Sequence, residues 1–365
     1  MSLADFDYFF DALLDRPTLW EALQTSSLPL VLYGTGDGAD KILAELSRRD
    51  LQVSAIFVSD DFYRGQSFHQ MPVSTLAQVE SRFSSFQILL AFGSHLPDIL
   101  ARVKNIAGTH PLFVPDVPVC GDALFDRQFA FQHREELKAA YRLLADDASR
   151  QVFQDVLQYK LSGELTPLLA CTSPATDAMN LLALGPEENY LDLGAYRGDT
   201  IDAFLAATGG RYRSITALEP DRRSFRKLLE HMAGRPHVRL LPCGVSSQNG
   251  YVDMLGGRGR GSHLADSPQA QQDAAKVLTP VTTVDALSLS ANYIKMDVEG
   301  SEAAALQGAA ETIRRCHPKL QIACYHRSED LFALPLLIHA LEPTYQIYLR
   351  RHPCLPCWDL NLYCI

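Results

Sequence analysis

Three carboxylates and one histidine stand where this sequence could carry chemistry. Asp192 lies in Asn189-Tyr-Leu-Asp-Leu-Gly-Ala-Tyr-Arg-Gly-Asp-Thr200, where a short apolar run meets a turn of Gly194, Ala195, Tyr196 and Gly198. The run is too short for a helix and fits a buried parallel strand. The small residues let a ligand approach the backbone, and Asp199 and Thr200 are cap-type residues for the helix that follows. A phosphate loop would need Gly-Lys-Ser/Thr, whereas Asp199 follows Gly198 here. An acid at a helix N-terminus repels a pyrophosphate and suits a ligand with a cationic head, such as a sulfonium.

The next carboxylate, Glu219, ends the strand pattern Ser214-Ile-Thr-Ala-Leu-Glu-Pro220. It falls about 20 residues beyond the glycines, the spacing of a ribose-binding acid in nucleotide-binding sheets. The third, Asp297, closes the apolar run Tyr293-Ile-Lys-Met and opens a turn containing Glu299 and Glu302. Glu302 falls in a first helical turn, where the helix dipole alone would account for an acid. His326 ends a neighbouring strand pattern and can face Asp297 across a cleft. Lys295 is assigned no chemistry.

Asp192-Leu-Gly-Ala195, Gly198-Asp-Thr200, Glu219-Pro220 and Ile294-Lys-Met-Asp-Val-Glu-Gly-Ser-Glu302 together resemble the FkbM-type family of S-adenosylmethionine-dependent methyltransferases. Gln307-Gly308 and Tyr325-His326 fit the same pattern, and the resemblance extends over residues 165–365. It implies a class I (Rossmann-like) methyltransferase sheet and methyl transfer to a hydroxyl oxygen of a sugar, glycan or related small molecule. Cofactor contacts are expected from Asp192, Gly194, Ala195, Tyr196, Gly198, Thr200, Glu219, Pro220, Gly244, Val245 and Asp297. Catalytic candidates are Asp297, Glu299 and His326, with His326 as base and Asp297 orienting it. The alternative is a divalent ion such as magnesium, held by Asp297, Glu299 and a water or His326, which would acidify the hydroxyl directly. The metal-free form is favoured, because the spacing matches no dedicated metal motif.

The elements that must position these residues follow an α/β pattern. An amphipathic helical stretch over residues 2–25 precedes strand patterns at Leu28–Tyr33, Val53–Val58, Phe86–Gly93 and Leu112–Val114, alternating with helices. Residues 1–120 therefore form a smaller Rossmann-like domain, residues 121–184 a helical bridge, and residues 185–365 the methyltransferase domain with its own core. The bridge either covers the cofactor cleft or packs as a linker. Gly34-Thr-Gly-Asp-Gly-Ala39 has near-dinucleotide spacing, and Asp60-Asp61 could bind a ribose, so this domain is a candidate site for a nucleotide-linked acceptor. The same glycines could simply pack a helix on a strand. Rival functions are a nicotinamide oxidoreductase using this first loop and a non-catalytic cofactor-binding scaffold.

Composition bounds the rest. The 365 residues carry 33 Lys and Arg against 43 Asp and Glu, a net charge of −10 that disfavours nucleic-acid binding. The first residues lack a basic stretch followed by an apolar run, and no apolar run is long enough for a membrane span, so a cytoplasmic protein is expected. Eight cysteines without a signal read as free thiols, and Cys354-Leu-Pro-Cys357 lacks the second pair a zinc site needs. Four glycines among residues 256–263 rule out a regular element there, and Arg258 and Arg260 suit a flap over an anionic substrate.

Overall fold

Apolar runs of four or five residues, separated by amphipathic helices, bury both faces only in a parallel sheet. The computed structural model describes residues 3–255, 263–264 and 276–365, and it contains two such sheets. The first is built from β1 (Leu30–Tyr33), β2 (Val53–Phe57), β3 (Ser67–Phe68), β4 (Met71–Ser74), β5 (Gln87–Leu90) and β6 (Leu112–Phe113). Their order is β3-β4-β2-β1-β5-β6, with β1 parallel to both β2 and β5. The hairpin of β3 and β4 was not expected from the sequence, whereas the helices Leu76–Arg82 and Pro97–Ala107 fill the expected alternation of strand and helix. Their signals are local: Thr75 and Gln78 close a capping box, and Pro97 stands in a first helical turn.

The second sheet begins with β7 (Asn189–Leu193), β8 (Ser214–Leu218) and β9 (Val238–Leu241). A small sheet of β10 (Gly244–Val245), β11 (Gly250–Leu255), β12 (His263–Leu264) and β13 (Lys276–Thr282) follows. Then come β14 (Tyr293–Met296), β15 (Lys319–Ala323), β16 (Ile347–Arg351) and β17 (Leu360–Cys364). The order β16-β17-β15-β14-β7-β8-β9 reverses direction between β7 and β14, which opens a crevice at their carboxyl ends. β17 runs antiparallel between β15 and β16. This is the class I methyltransferase arrangement. The arginine-bearing residues 256–262, expected as a flap, lie outside the described residues.

The bridge helices Arg134–Leu143 and Asp147–Ser162 pack on the helix Asp330–Leu341 and on β16, at the sheet edge away from β7 and β8. That placement matches a packing linker rather than a cover over the crevice. One apolar cluster runs from Phe6 through Val31 and Tyr33 to Phe153, Ile294 and Leu362, so both sheets share a core. A second cluster lies on the other face of the second sheet, where Tyr190 stacks on Phe204 and Tyr293 at 4.5 and 4.7 Å. Among the described residues no helix is long and apolar enough to cross a membrane.

Gly194 has φ +85°, and a Cβ there would stand 1.9 Å from the Asp297 carbonyl oxygen. The glycine is therefore required by the neighbouring strand end, before any ligand is considered. A side chain at this position would force the ends of β7 and β14 apart. Gly194→Ala is expected to lower stability by more than about 2 kcal/mol, from strain and overpacking together. Urea unfolding measures it, with Gly244→Ala as the mild control, since its Cβ would meet Val281 Cγ1 at 3.3 Å and Pro220 Cβ at an ordinary 3.8 Å. Equal stability of Gly194→Ala and the native chain would remove the argument.

Candidate functional site

After Leu193 the chain turns through Gly194 and Tyr196, both with positive φ, into the helix Asp199–Ala207. The helix is capped by Gly198, and neither Asp199 nor Thr200 takes the expected capping role. Thr200 Oγ1 instead donates to Asp192 Oδ2 at 2.5 Å. The amides of Gly194 and Ala195 both donate to the Leu218 carbonyl at 3.0 Å, tying the loop to the end of β8. From β14, Lys295 Nζ donates to the Gly194 carbonyl at 3.0 Å and lies 3.4 Å from Asp192 Oδ1. Asp192 is fully buried, so the structure puts it beneath the loop it was expected to share with the cofactor. Ala195 is likewise fully buried. Burial works against a charge on Lys295, but Asp192 and then Asp297 outweigh it and raise its pKa.

Glu219 stands where its spacing placed it, at the end of β8 facing this loop. Its Oε2 accepts the Tyr196 amide at 2.8 Å and its Oε1 the Asp221 amide at 2.7 Å. Burial pushes the carboxyl up to about 7, against the pull of those two amides toward the charged form. Pro220 and Gly244 are neighbours beside it, and Val245 is buried below.

Beyond β14 the chain turns sharply at Glu299 (φ +52°) and Gly300 (φ +89°), so Asp297 and Glu299 do not share an extended strand. They converge all the same. Asp297 Oδ1 is 3.4 Å and Glu299 Oε2 3.6 Å from His326 Nε2. On the other side of the ring, Glu302 Oε1 is 3.0 Å from Nδ1 and also accepts the Val298 amide at 2.8 Å. Tyr325 Oη donates to Asp297 Oδ1 at 3.5 Å. His326 is fully buried, while 36% of the Asp297 side chain is exposed. Burial alone would depress the imidazole, but Glu302, Asp297 and Glu299 lift its pKa to about 10. Glu302, Lys295 and Tyr325 are the residues that sequence reasoning left without a role. For Glu302 the helix dipole seemed explanation enough.

The first half of the chain closes this acid cluster from outside. The Cys120 amide donates to the His326 carbonyl at 2.9 Å, and Cys120 Sγ donates to the Glu299 carbonyl at 3.1 Å. Burial, then Glu299 and Glu302, pushes the Cys120 thiol up to about 12. Gly93, after β5, lies against the Trp358 ring, and Ser94 pairs with Leu355. In the first glycine loop a Cβ on Gly34 would reach Phe92 at 2.8 Å, and one on Gly38 the Ala91 carbonyl at 2.7 Å. These glycines are taken up by packing on the end of β5. Asp60 and Asp61 are exposed just after β2. All eight cysteines are free thiols. A groove of about 750 Å³, lined in part by Trp20, Glu21 and Arg127, lies among the amino-terminal helices, away from these strand ends.

Lys295 is the buried ammonium that joins β14 to the loop after β7. Lys295→Met leaves Asp192 buried without its counter-charge and is expected to cost about 3–5 kcal/mol in chemical denaturation. Adding Asp192→Asn should recover part of that loss. Additive losses would mean that the two groups are not coupled.

Residues 192–343 match the family model described as Methyltransferase FkbM domain. A solved methyltransferase FkbM from Methylobacillus flagellatus KT is 22% identical, covers 100% of this chain and 99% of its own, and superposes with a TM-score of 0.70. An rRNA methylase from Streptococcus thermophilus (14% identity, 53% of this chain, 95% of that one) reaches 0.34. Aeropyrum pernix fibrillarin (13%, 52% and 74%) reaches 0.33, and neither of these two bears on the site. No curated protein matches the chain. The match to the methyltransferase FkbM domain is confined to residues 192–343, and the superposition over the whole chain shows a shared fold.

Proposed function

We propose that the chain transfers a methyl group from S-adenosylmethionine to a hydroxyl oxygen of a sugar, glycan or related small polyol. The observation that carries this reading is the pair of acids flanking the crevice, Glu219 after β8 and Asp297 after β14, with the loop of β7 between them. The donor set fits the cofactor. A carboxylate only accepts, which suits two ribose hydroxyls, and each Glu219 oxygen spends one lone pair on an amide and keeps another. Asp199, Glu219 and Asp297 make the surroundings favourable to a sulfonium. The acceptor class rests on the family resemblance in the sequence.

When bound, the sulfonium supplies an electrophilic methyl carbon and a good leaving group. The chain has to bring the acceptor oxygen into line behind that carbon and take the hydroxyl proton. Alignment can be worth about 7–11 kcal/mol, and a positioned base about 10²–10⁴-fold. A wholly buried imidazole does not touch an acceptor, so the roles assigned from sequence turn round: Asp297 accepts the proton, and His326 orients it from behind. Tyr325 Oη at 3.5 Å and Lys295 Nζ at 4.0 Å hold the carboxylate in place. The nicotinamide reading is weakened by the packing role of Gly34 and Gly38. Binding of NADH without S-adenosylhomocysteine would restore it.

Calorimetry with S-adenosylhomocysteine tests the reading. Below about pH 7 the Glu219 carboxyl is protonated and loses its charge-assisted bonds, so affinity is expected to rise as pH increases through about 7. Glu219→Gln should bind about tenfold or more weakly at pH 8 and show no such rise. Unchanged affinity in the variant would place the ribose elsewhere.

A further inference from the structure

Cys354-Leu-Pro-Cys357 has the spacing of a redox pair, but the structure gives Cys357 a different partner. The segment lies in the connection between β16 and β17, and Cys171 follows the helix Leu165–Ala170. Arg351, the last residue of β16, gathers them. Its Nη1 donates to the Leu168 carbonyl at 2.8 Å and to Thr172 Oγ1 at 2.9 Å, and its Nη2 donates to the Cys354 carbonyl. Cys171 Sγ lies 3.2 Å from that same Leu168 carbonyl oxygen. The thiols of Cys171 and Cys357 meet in a hydrogen bond beside the guanidinium.

Arg351 is fully buried, and each of these acceptors is neutral. Its Nε has no hydrogen-bond partner. The nearby ammonium of Lys160 already has its carboxylate, Asp116 Oδ2 at 2.9 Å. A buried cation is costly without a counter-charge, and a thiolate at Cys357 supplies one. Burial works against that charge, but the hydrogen bond from Cys171, then Arg351 and Lys160, outweigh it and lower the Cys357 pKa. The same hydrogen bond, and then burial, raise that of Cys171, so the shared proton stays on Cys171. A thiolate held by a cation with a thiol at its side is the arrangement of an attacking and a resolving cysteine.

We propose that Cys357 is a peroxide-sensitive thiolate paired with Arg351, and that Cys171 resolves it to a disulfide. The two thiols are 3% and 2% exposed, which suits a water-sized oxidant, hydrogen peroxide, over a bulky one such as glutathione disulfide. Cys357 Sγ attacks one peroxide oxygen, the O–O bond breaks, and the departing hydroxide takes back the proton that the thiol had released. Cys171 Sγ then attacks the sulfenic sulfur, its proton leaves with the hydroxyl as water, and the S–S bond closes. Two electrons pass from the thiols to one peroxide, which ends as two waters. The bond would join the helix Leu165–Ala170 to the β16–β17 connection, whose Leu355 pairs with Ser94 of the first half of the chain. Because the surroundings stabilise the thiolate, the reduced pair is favoured and the bond reopens readily. This chemistry is independent of the methyl-transfer reading.

The test treats the full chain, reduced and folded, with hydrogen peroxide, blocks the remaining thiols with iodoacetamide and maps the peptides by mass spectrometry. A linked Cys171–Cys357 peptide is expected, lighter by two hydrogens than its parts and separated again by dithiothreitol. Cys354→Ser should keep the link. In Cys171→Ser the reaction should stop at the sulfenic acid of Cys357, trapped by dimedone, and in Cys357→Ser Cys171 should stay unmodified. Circular dichroism shows that each variant is folded. A native chain in which both thiols stay reduced, a Cys354–Cys357 link in place of the expected one, or equal dimedone trapping in the native and Cys171→Ser chains would each overturn the proposal.

Discussion

A buried ammonium governs how the strand ends meet. Lys295 reaches from β14 to the carbonyl of Gly194 and to Asp192, and Asp192 in turn takes the hydroxyl of Thr200 in the next helix. Removing an ammonium and a carboxylate from water is costly, and the attraction between them recovers that cost only when geometry is tight and remaining donors are used. Here they are used on the loop itself. The turn after β7, the start of the helix Asp199–Ala207 and the end of β14 are therefore held in one arrangement, and Gly194 is the residue small enough to permit it.

That arrangement separates two electrostatic environments within one crevice. At the β8 end, Glu219 is nearly dry and bonded to two amides, poised between charged and neutral forms near neutrality. At the β14 end, Asp297 stays partly in water with an imidazole and two further acids behind it. The first environment suits recognition of neutral hydroxyls. The second suits proton or cation handling. The exit segment from the first sheet lies on the second environment through Cys120, so the amino-terminal half takes part in its dielectric as well as in the shared core.

Much of this was legible in the sequence, and what was hidden shares a cause. The strands, their glycine turn and Glu219 were readable because each depends on neighbours along the chain: apolar runs, small residues, a spacing. Asp192 was read as a ligand contact because nothing in its own segment shows that Lys295, over a hundred residues away, sits beside it. Glu302 already had a sufficient local explanation in the helix dipole, and the imidazole at 3.0 Å belongs to another strand. Gly34 matched a ligand-binding spacing with Gly36 and Ala39, but its Cβ position and that of Gly38 are blocked just past the end of β5. In each case the deciding partner comes from a different strand, and a spacing rule carries no information about which strands lie side by side.

The position of β17 has a consequence for how the protein is made. It is inserted between β15 and β16, both of which precede it in the chain. During synthesis, β15 and β16 emerge with a strand-wide gap between them, and their unpaired edges stay open until residues 360–364 leave the ribosome. Folding from the amino terminus as the chain grows therefore cannot complete the second sheet before β17 is made. The nascent protein waits for its final strand, with edges exposed that could pair wrongly.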